Sequence, residues 1–485
     1  MNKVDILLVY PEYSYPKKSP PIGLGYIAAV LERRGYKVKI LDMSTSGLNC
    51  GDLKREVEEN RPAMTGISFM TNQFEEAVAV SKAIKEVDKN IPVITGGPHV
   101  SALPEEILGF DTVDIAVIGE GEISACELAD YFIKKTIGNL STIKGIAYKE
   151  NGNIRINERQ PLINDLDSLP FPAWHLLPVE KYSVPGTGGN AAENTFAVIS
   201  SRGCPNNCIF CDSHTIFGRN FRARSAKSIF NELIYLNKNF GATQFDFVDD
   251  TITVNKNRMN ELCNLLSENK CDFKWMCNAR VNTVDEQLLK TMKETGCVRI
   301  EFGIESGDEQ VLKNIKKHIT IEQIKNAHKL ARQAGLQVGS FVMVGNKGED
   351  LQSVQKTKKL LEEIDTDDIY IAIATPFPGT ELYKIAKSSG WLLITDWSRY
   401  VTSPTYLPGY QPIMKTDKMG PQEILKAFFY LHSQFVKGKL TTRYGKHFLL
   451  NKKFYRDNLF NVHSFKDVKH KFKMAKSLVA THFLH

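Results

Sequence analysis

Short apolar runs rich in β-branched residues recur through the first 138 residues, separated by longer stretches of helical periodicity. Asp5 to Tyr10, Lys37 to Leu41, Thr65 to Phe69, Pro92 to Thr95 and Asp114 to Ile118 are the predicted strands, with amphipathic helices in the gaps. Apolar strands alternating with helices predict a parallel sheet covered on both faces, with ligands at the carboxyl ends of its strands. Those ends carry glycines and small polar residues: Tyr10-Pro11 with Pro21-Ile22-Gly23, Gly66 to Thr71, Thr95 to His99, and Gly119-Glu120-Gly121-Glu122. Residues 1–138 therefore read as a doubly wound, Rossmann- or flavodoxin-like α/β domain.

The pattern changes over residues 139–195. Gly145 to Arg155 reads as a β-hairpin with an Asn-Gly turn. Leu169-Pro170-Phe171-Pro172-Ala173-Trp174 and Pro185-Gly186-Thr187-Gly188-Gly189 cannot continue a helix or a central strand, so they read as linker. From Phe196 the alternation resumes, with strands near 196–200, 243–248, 273–278, 298–304, 337–344 and 368–375. Six such units predict a partial (β/α)6 barrel over 196–395, with its chemistry at the carboxyl ends of the strands. Residues 396–485 read as a mainly helical, basic C-terminal region.

Composition changes this picture little until the tail is reached. A chain of 485 residues, 42% hydrophobic and 24% charged, is ordinary for a globular protein of two to four domains. No apolar stretch approaches the roughly 20 residues that span a bilayer, and the chain opens directly on a strand, so a cytoplasmic location is expected. Nine cysteines are an odd set, too sparse for a disulfide framework. The net charge of +7 is concentrated late: residues 435–485 hold twelve Lys and Arg against Asp457 and Asp467. Asn451-Lys452-Lys453-Phe454-Tyr455-Arg456 and Lys469-His470-Lys471-Phe472-Lys473-Met474 mix cations with aromatics, which suits peripheral contact with the inner membrane face or an anionic partner. A solvated basic tail helix is the alternative.

The most specific chemistry lies in Ser200-Ser201-Arg202-Gly203-Cys204-Pro205-Asn206-Asn207-Cys208-Ile209-Phe210-Cys211-Asp212. Cys-x3-Cys-x2-Cys supplies three thiolates, whereas a closed structural site takes four protein ligands. A zinc reading would recruit His214. The run, including Phe210 before the third cysteine, resembles the signature of the radical S-adenosylmethionine enzymes, and its place just beyond a predicted first barrel strand is the context that signature requires. The resemblance implies a 4Fe-4S cluster on Cys204, Cys208 and Cys211, with its open iron chelating S-adenosylmethionine. The glycine-bearing strand ends upstream resemble the cobalamin-binding domain that precedes many such modules, so the combined order is similar to the cobalamin-dependent family over residues 1–395.

From that resemblance follow expected site residues. For S-adenosylmethionine they are Phe210, Asp249, Asp250, Arg280, Glu305, Ser306 and Gly345; helix capping is the alternative for the two aspartates and an inter-strand ion pair for Arg280. Val344-Gly345 suits close approach to adenine, and Thr375 to Thr380 close approach to substrate. For cobalamin they are Tyr10, Gly23, Ser68, Met70, Gly96, Gly97, His99, Gly119 and Gly121, with Ser68 and the glycine pair beside the buried nucleotide tail. The Asp-x-His-x-x-Gly motif that ligates cobalt from below in other cobalamin domains is absent after the first strand, where Pro11 to Pro16 stand, so no protein imidazole is expected on the lower face; His99 is the nearest alternative, with packing as its other role.

The activity this implies is reductive cleavage of S-adenosylmethionine, hydrogen abstraction from an unactivated carbon by a 5′-deoxyadenosyl radical, and cobalamin-mediated methylation. Oxidative cyclisation or rearrangement of a tetrapyrrole, hopanoid or other hydrophobic substrate is the alternative. Expected partners are a small-molecule substrate and an electron donor such as flavodoxin or ferredoxin. Methylthio transfer to tRNA would need a cysteine triad in the N-terminal domain, where only Cys50 and Cys126 occur, so no nucleic-acid partner is expected. A non-enzymatic cobalamin sensor would have no use for an open iron. Cys263, Cys271, Cys277 and Cys297 are too irregularly spaced for a second cluster and read as small core residues. Phe428, Phe429, Tyr430, Phe435, Phe448, Phe454 and Phe460 supply apolar surface in the C-terminal region, read as core or as a lipid groove.

Overall fold

The computed structural model describes residues 4–12, 19–182, 194–404, 407 and 409–444. Strands β1 (Ile6–Tyr10), β2 (Val38–Asp42), β3 (Met64–Ser68), β4 (Val93–Gly96) and β5 (Ile115–Val117) form a parallel sheet in the order β2-β1-β3-β4-β5. Burial on both faces explains its apolar runs: Ile6 and Leu8 of β1 face one core, Leu7 and Val9 the other, and all are at most 3% exposed. The strand order reverses between β1 and β3, the place where such sheets open a ligand crevice.

The hairpin, β6 (Ile146–Glu150) and β7 (Asn153–Ile156), does not stand in the linker. It extends the first sheet, with β6 antiparallel to β5 and Ala147 and Tyr148 buried. The short β5 would otherwise present an open edge, and the hairpin covers it. The Pro-rich stretch is also more than a connection: Ala173 N–H donates to the Gly25 carbonyl at 3.0 Å, and Trp174, 1% exposed, meets the Phe196 ring edge-on at 5.2 Å. Its prolines keep it out of helix and sheet while its apolar side chains fill a seam between the two sheets.

The second sheet is parallel and strictly consecutive: β8 (Thr195–Val198), then β11 (Gln244–Phe247), β12 (Lys274–Ala279), β13 (Cys297–Glu305), β14 (Gln337–Val344) and β15 (Asp368–Ile373). Between them β9 (Ser201–Arg202) and β10 (Arg222–Ala223) form a separate antiparallel ribbon. β8 and β15 are the two ends of the six-stranded sheet, so the barrel is open as expected. Side-chain caps start the following helices: Asp285, Asp308, Thr320, Asp350 and Thr380 each accept a hydrogen bond from the first turn.

The described residues of 396–420, expected within a helical region, are largely irregular, with one 3-10 turn among them at Trp397–Arg399 and an isolated bridge between Leu392 and Met414. Pro404, Gly409 and Pro412 interrupt any helix there, while Tyr400, Tyr410, Ile413 and Met414 are buried. The helix Pro421–Tyr444 then packs on the helix Leu351–Glu363 and on β15. Of its aromatics Phe428 is core and Phe429 is 48% exposed. Phe448, Phe454, Phe460 and the two basic segments lie outside the described residues. No described helix is long and apolar enough to cross a membrane.

Candidate functional site

Gly203 opens the cysteine loop at φ 79°, and a Cβ there would stand 2.4 Å from the Asn220 carbonyl oxygen, so the position demands glycine. The loop is pinned at Ile209, whose N–H donates to the Ile315 carbonyl at 3.1 Å and whose own carbonyl accepts from Leu382 N–H at 2.8 Å. Phe210 is half-buried against the same core. Cys208 is buried, and Cys204 and Cys211 are partly exposed. Asn206 Nδ2 donates to Cys204 Sγ at 3.2 Å, and Arg280 Nη1 reaches Cys208 Sγ at 3.8 Å. These two donors hold their sulfurs in place at the mouth of the loop. Burial pushes the Cys211 thiol up to about 12, so a metal partner is what would draw off its proton. Among the described residues no three His, Cys, Asp or Glu converge on one ion. A 4Fe-4S cube takes each thiolate on a separate iron.

The residues chosen for S-adenosylmethionine divide. Asp249, 3% exposed, is turned inward, accepting from Ser200 N–H, Ser200 Oγ at 2.9 Å and Ser201 Oγ. Burial pushes its carboxyl above the usual range, against Arg258 and these donors, and its hydrogen bonds tie the end of β11 to the end of β8. Asp250 is exposed beside the loop and accepts from Ser213 Oγ. Arg280 points its guanidinium at a cluster sulfur and the Lys317 carbonyl. Glu305 sits at a bulge at φ 60° and pairs with Lys317 at 2.7 Å, both nearly buried. Ser306 is fully buried and accepts from Asp308 N–H, which orients the turn rather than facing a ligand.

Gly345, at φ 80°, is crowded by Ile424 of the helix Pro421–Tyr444, so its glycine answers to packing. Its N–H and that of Asn346 donate to Glu349, whose carboxyl burial pushes up to about 7. A folded pKa raised from an ordinary 4.5 gives stability that is fully present below pH 4.5 and lost as pH rises through 7. On the order of 3 kcal/mol is at stake. Glu349→Gln is therefore expected to flatten the fall in thermal stability across this window. An unchanged pH profile of the melting temperature in the variant would reject the assignment.

The cobalamin candidates fall largely together. A cleft enclosing about 180 Å³ at the carboxyl ends of β1, β3, β4 and β5 is lined by Gly23, Ser68, Gly96, Gly97, Gly119 and Gly121. Its depth is apolar, formed by Leu8, Leu24, Leu31, Met64, Ile94 and Leu128, which suits an aromatic nucleotide base. Tyr10, Met70 and His99 are not in its wall. Met70 is 43% exposed, and His99 is fully buried in an aromatic cluster of Phe69, Phe74 and Trp397, with Glu106 at 3.4 Å. His99 thus packs; the turn after Gly97 points it away from the cleft.

Sequence reasoning missed what closes the cleft. Ile199, Arg202, Ile216 and Phe217, all from the barrel half, complete its wall. Arg202 pairs with Glu120 at 3.0 Å and Glu122 at 2.5 Å, while Arg222 pairs with Glu120 at 2.9 Å, all four side chains being at most 7% exposed. The glutamates stood in a recognised glycine motif and Arg202 in the cysteine motif. Nothing local announces that residues 80 to 102 apart in sequence form one buried cluster.

The pattern of the Radical SAM superfamily matches residues 198–361, and that of the B12 binding domain matches residues 14–129. An uncharacterized methyltransferase of Pyrococcus horikoshii is 35% identical over 434 residues, which are 88% of this chain and 91% of that protein. The anaerobic magnesium-protoporphyrin IX monomethyl ester cyclase of Rubrivivax gelatinosus is 27% identical over 452 residues, 90% of this chain and 78% of that one. Among solved structures, the cobalamin-dependent S-adenosylmethionine radical enzyme OxsB, with aqua-cobalamin and S-adenosylmethionine bound, shares the fold at a TM-score of 0.75 and 16% identity, over 100% of this chain and 72% of that chain.

Proposed function

The chain belongs to the cobalamin-dependent radical S-adenosylmethionine enzymes, and we propose that within this family it is a C-methyltransferase acting on a small molecule. The observation that carries the reading is the shared wall: Arg202, in the cleft lining, directly precedes Gly203 and Cys204, so corrinoid and cluster would act on one enclosed volume. When bound, the cluster supplies the electron that cleaves S-adenosylmethionine, and the corrinoid supplies methyl transfer.

The residues of the chain do the rest. Asn206 and Arg280 orient the sulfurs of Cys204 and Cys208. Lys317 holds the Glu305 carboxylate at the end of β13, leaving Asp250 as the exposed acid beside the loop. Apolar side chains line the depth of the cleft and would exclude water from a bound corrinoid. At the amino end of β13, away from the cysteine loop, Arg299 is 1% exposed and bonds Glu301, Asp368 and Tyr370, which ties β13 to β15. A small one-electron carrier protein such as a flavodoxin or ferredoxin would supply the reducing equivalent.

Methylation consumes two molecules of S-adenosylmethionine, one leaving as S-adenosylhomocysteine after giving up its methyl and one cleaved to methionine and 5′-deoxyadenosine. Ring closure, the activity named for the cyclase relative, needs only the second. Anaerobic protein with cluster, cobalamin, dithionite and S-adenosylmethionine is expected to form both nucleosides, measured by mass spectrometry. Deoxyadenosine without S-adenosylhomocysteine would move oxidative cyclisation into first place.

A further inference from the structure

We infer that Arg202 is a positioning residue that couples occupation of the corrinoid cleft to the geometry of the cysteine loop. The inference rests on the cleft taking a corrinoid. Each partner of the Arg202 guanidinium is itself a lining residue of that cleft. It bonds Glu120, in the turn after β5, and Glu122, the first residue of the helix Glu122–Ala129, and lies over the rings of Tyr26 at 5.1 Å and Phe217 at 5.6 Å. A ligand entering the cleft therefore presses on the groups that hold Arg202.

On its other side Arg202 is joined to the cluster loop with little slack. Gly203 follows at φ 79°, and its close approach to the Asn220 carbonyl leaves the backbone no room to shift toward that side. Cys204 comes next. The strand pairing of Arg202 with Arg222, which also bonds Glu120, the Ile163 carbonyl and the Phe217 carbonyl, ties both sides of the ribbon to the same acid.

Two arginines and two glutamates, charge-balanced and buried, are a costly way to fill an apolar wall, since well-packed hydrophobic residues are often at least as stabilising there. What they add is directional. The guanidinium fork fixes two acids in one plane, which the single ammonium of lysine cannot do.

The test compares full-length protein carrying its cluster, reduced with dithionite, with and without hydroxocobalamin, by electron paramagnetic resonance of the cluster. In the wild type the cluster spectrum is expected to shift when cobalamin is added. In Arg202→Lys, which keeps the charge, the shift is expected to be lost even at cobalamin concentrations that a titration shows to saturate the cleft. Glu122→Gln, which leaves Arg202 its bond to Glu120, should reduce the shift without removing uptake and serves if the lysine variant does not fold. Uptake by the wild type with no change in its cluster spectrum, or a full shift in both variants, would overturn the coupling. Absence of uptake by the wild type would instead sink the corrinoid assignment, and the coupling with it.

Discussion

Alanine at Cys204, Cys208 or Cys211 is expected to remove the iron-sulfur chromophore and to drop 5′-deoxyadenosine formation to the reagent background, with cobalamin uptake unchanged. Loss of a partner outside the ligand shell typically costs 10- to 100-fold in metal affinity or activity, and loss of a ligand should exceed about 100-fold. No other cysteine stands ready to replace the lost thiolate: Cys126, Cys263, Cys277 and Cys297 are buried in the cores, and Cys50 and Cys271 belong to other parts of the fold. The loop should survive the substitution, because Ile209 pins it through backbone hydrogen bonds and a side chain only 1% exposed. Iron content and the visible spectrum report the cluster, and a cobalamin titration reports the cleft. Deoxyadenosine retained in any of the three variants would contradict the assignment of that cysteine as a ligand.

What the sequence revealed about this site depended on whether a role was written locally. The cysteine spacing and the strand-end glycines are local, and six of the nine cobalamin candidates line one cleft. Roles set by long-range partners were not legible. Asp249 looked like an open carboxylate until Ser200 and Ser201 folded over it, and Ser306 looked like a ligand until it turned toward Asp308. His99 shared a turn with Gly97, but only the aromatic cluster with Trp397, nearly 300 residues away, shows that it faces elsewhere. The same holds for architecture. Period and turn residues placed the eleven expected strands of the two parallel sheets well, whereas the pairing of β6 with β5 required knowing which strand edge lay open.

Gly96 and Gly97 are expected to fail in opposite ways, although the sequence presented them as one pair. A Cβ at Gly96 would make only ordinary contact with Val117, at 3.8 Å, and Gly96 lines the cleft. Gly96→Leu should therefore fold normally, place its side chain where ligand would lie, and weaken cobalamin uptake at least about tenfold, or about 1.4 kcal/mol. At Gly97 the backbone holds φ 110°, and a Cβ would stand 2.4 Å from the Phe69 carbonyl oxygen. Gly97→Ala should consequently cost about 1–3 kcal/mol in stability through the backbone alone. Its effect on cobalamin would then be indirect and would diminish where the fold is restored, at lower temperature or with a stabilising osmolyte. Thermal melts alongside equilibrium cobalamin titrations separate the two. Unimpaired binding by Gly96→Leu would mean that the ligand does not run along the end of β4, and the apolar depth between β3 and the helix Ile22–Arg33 would have to hold it alone.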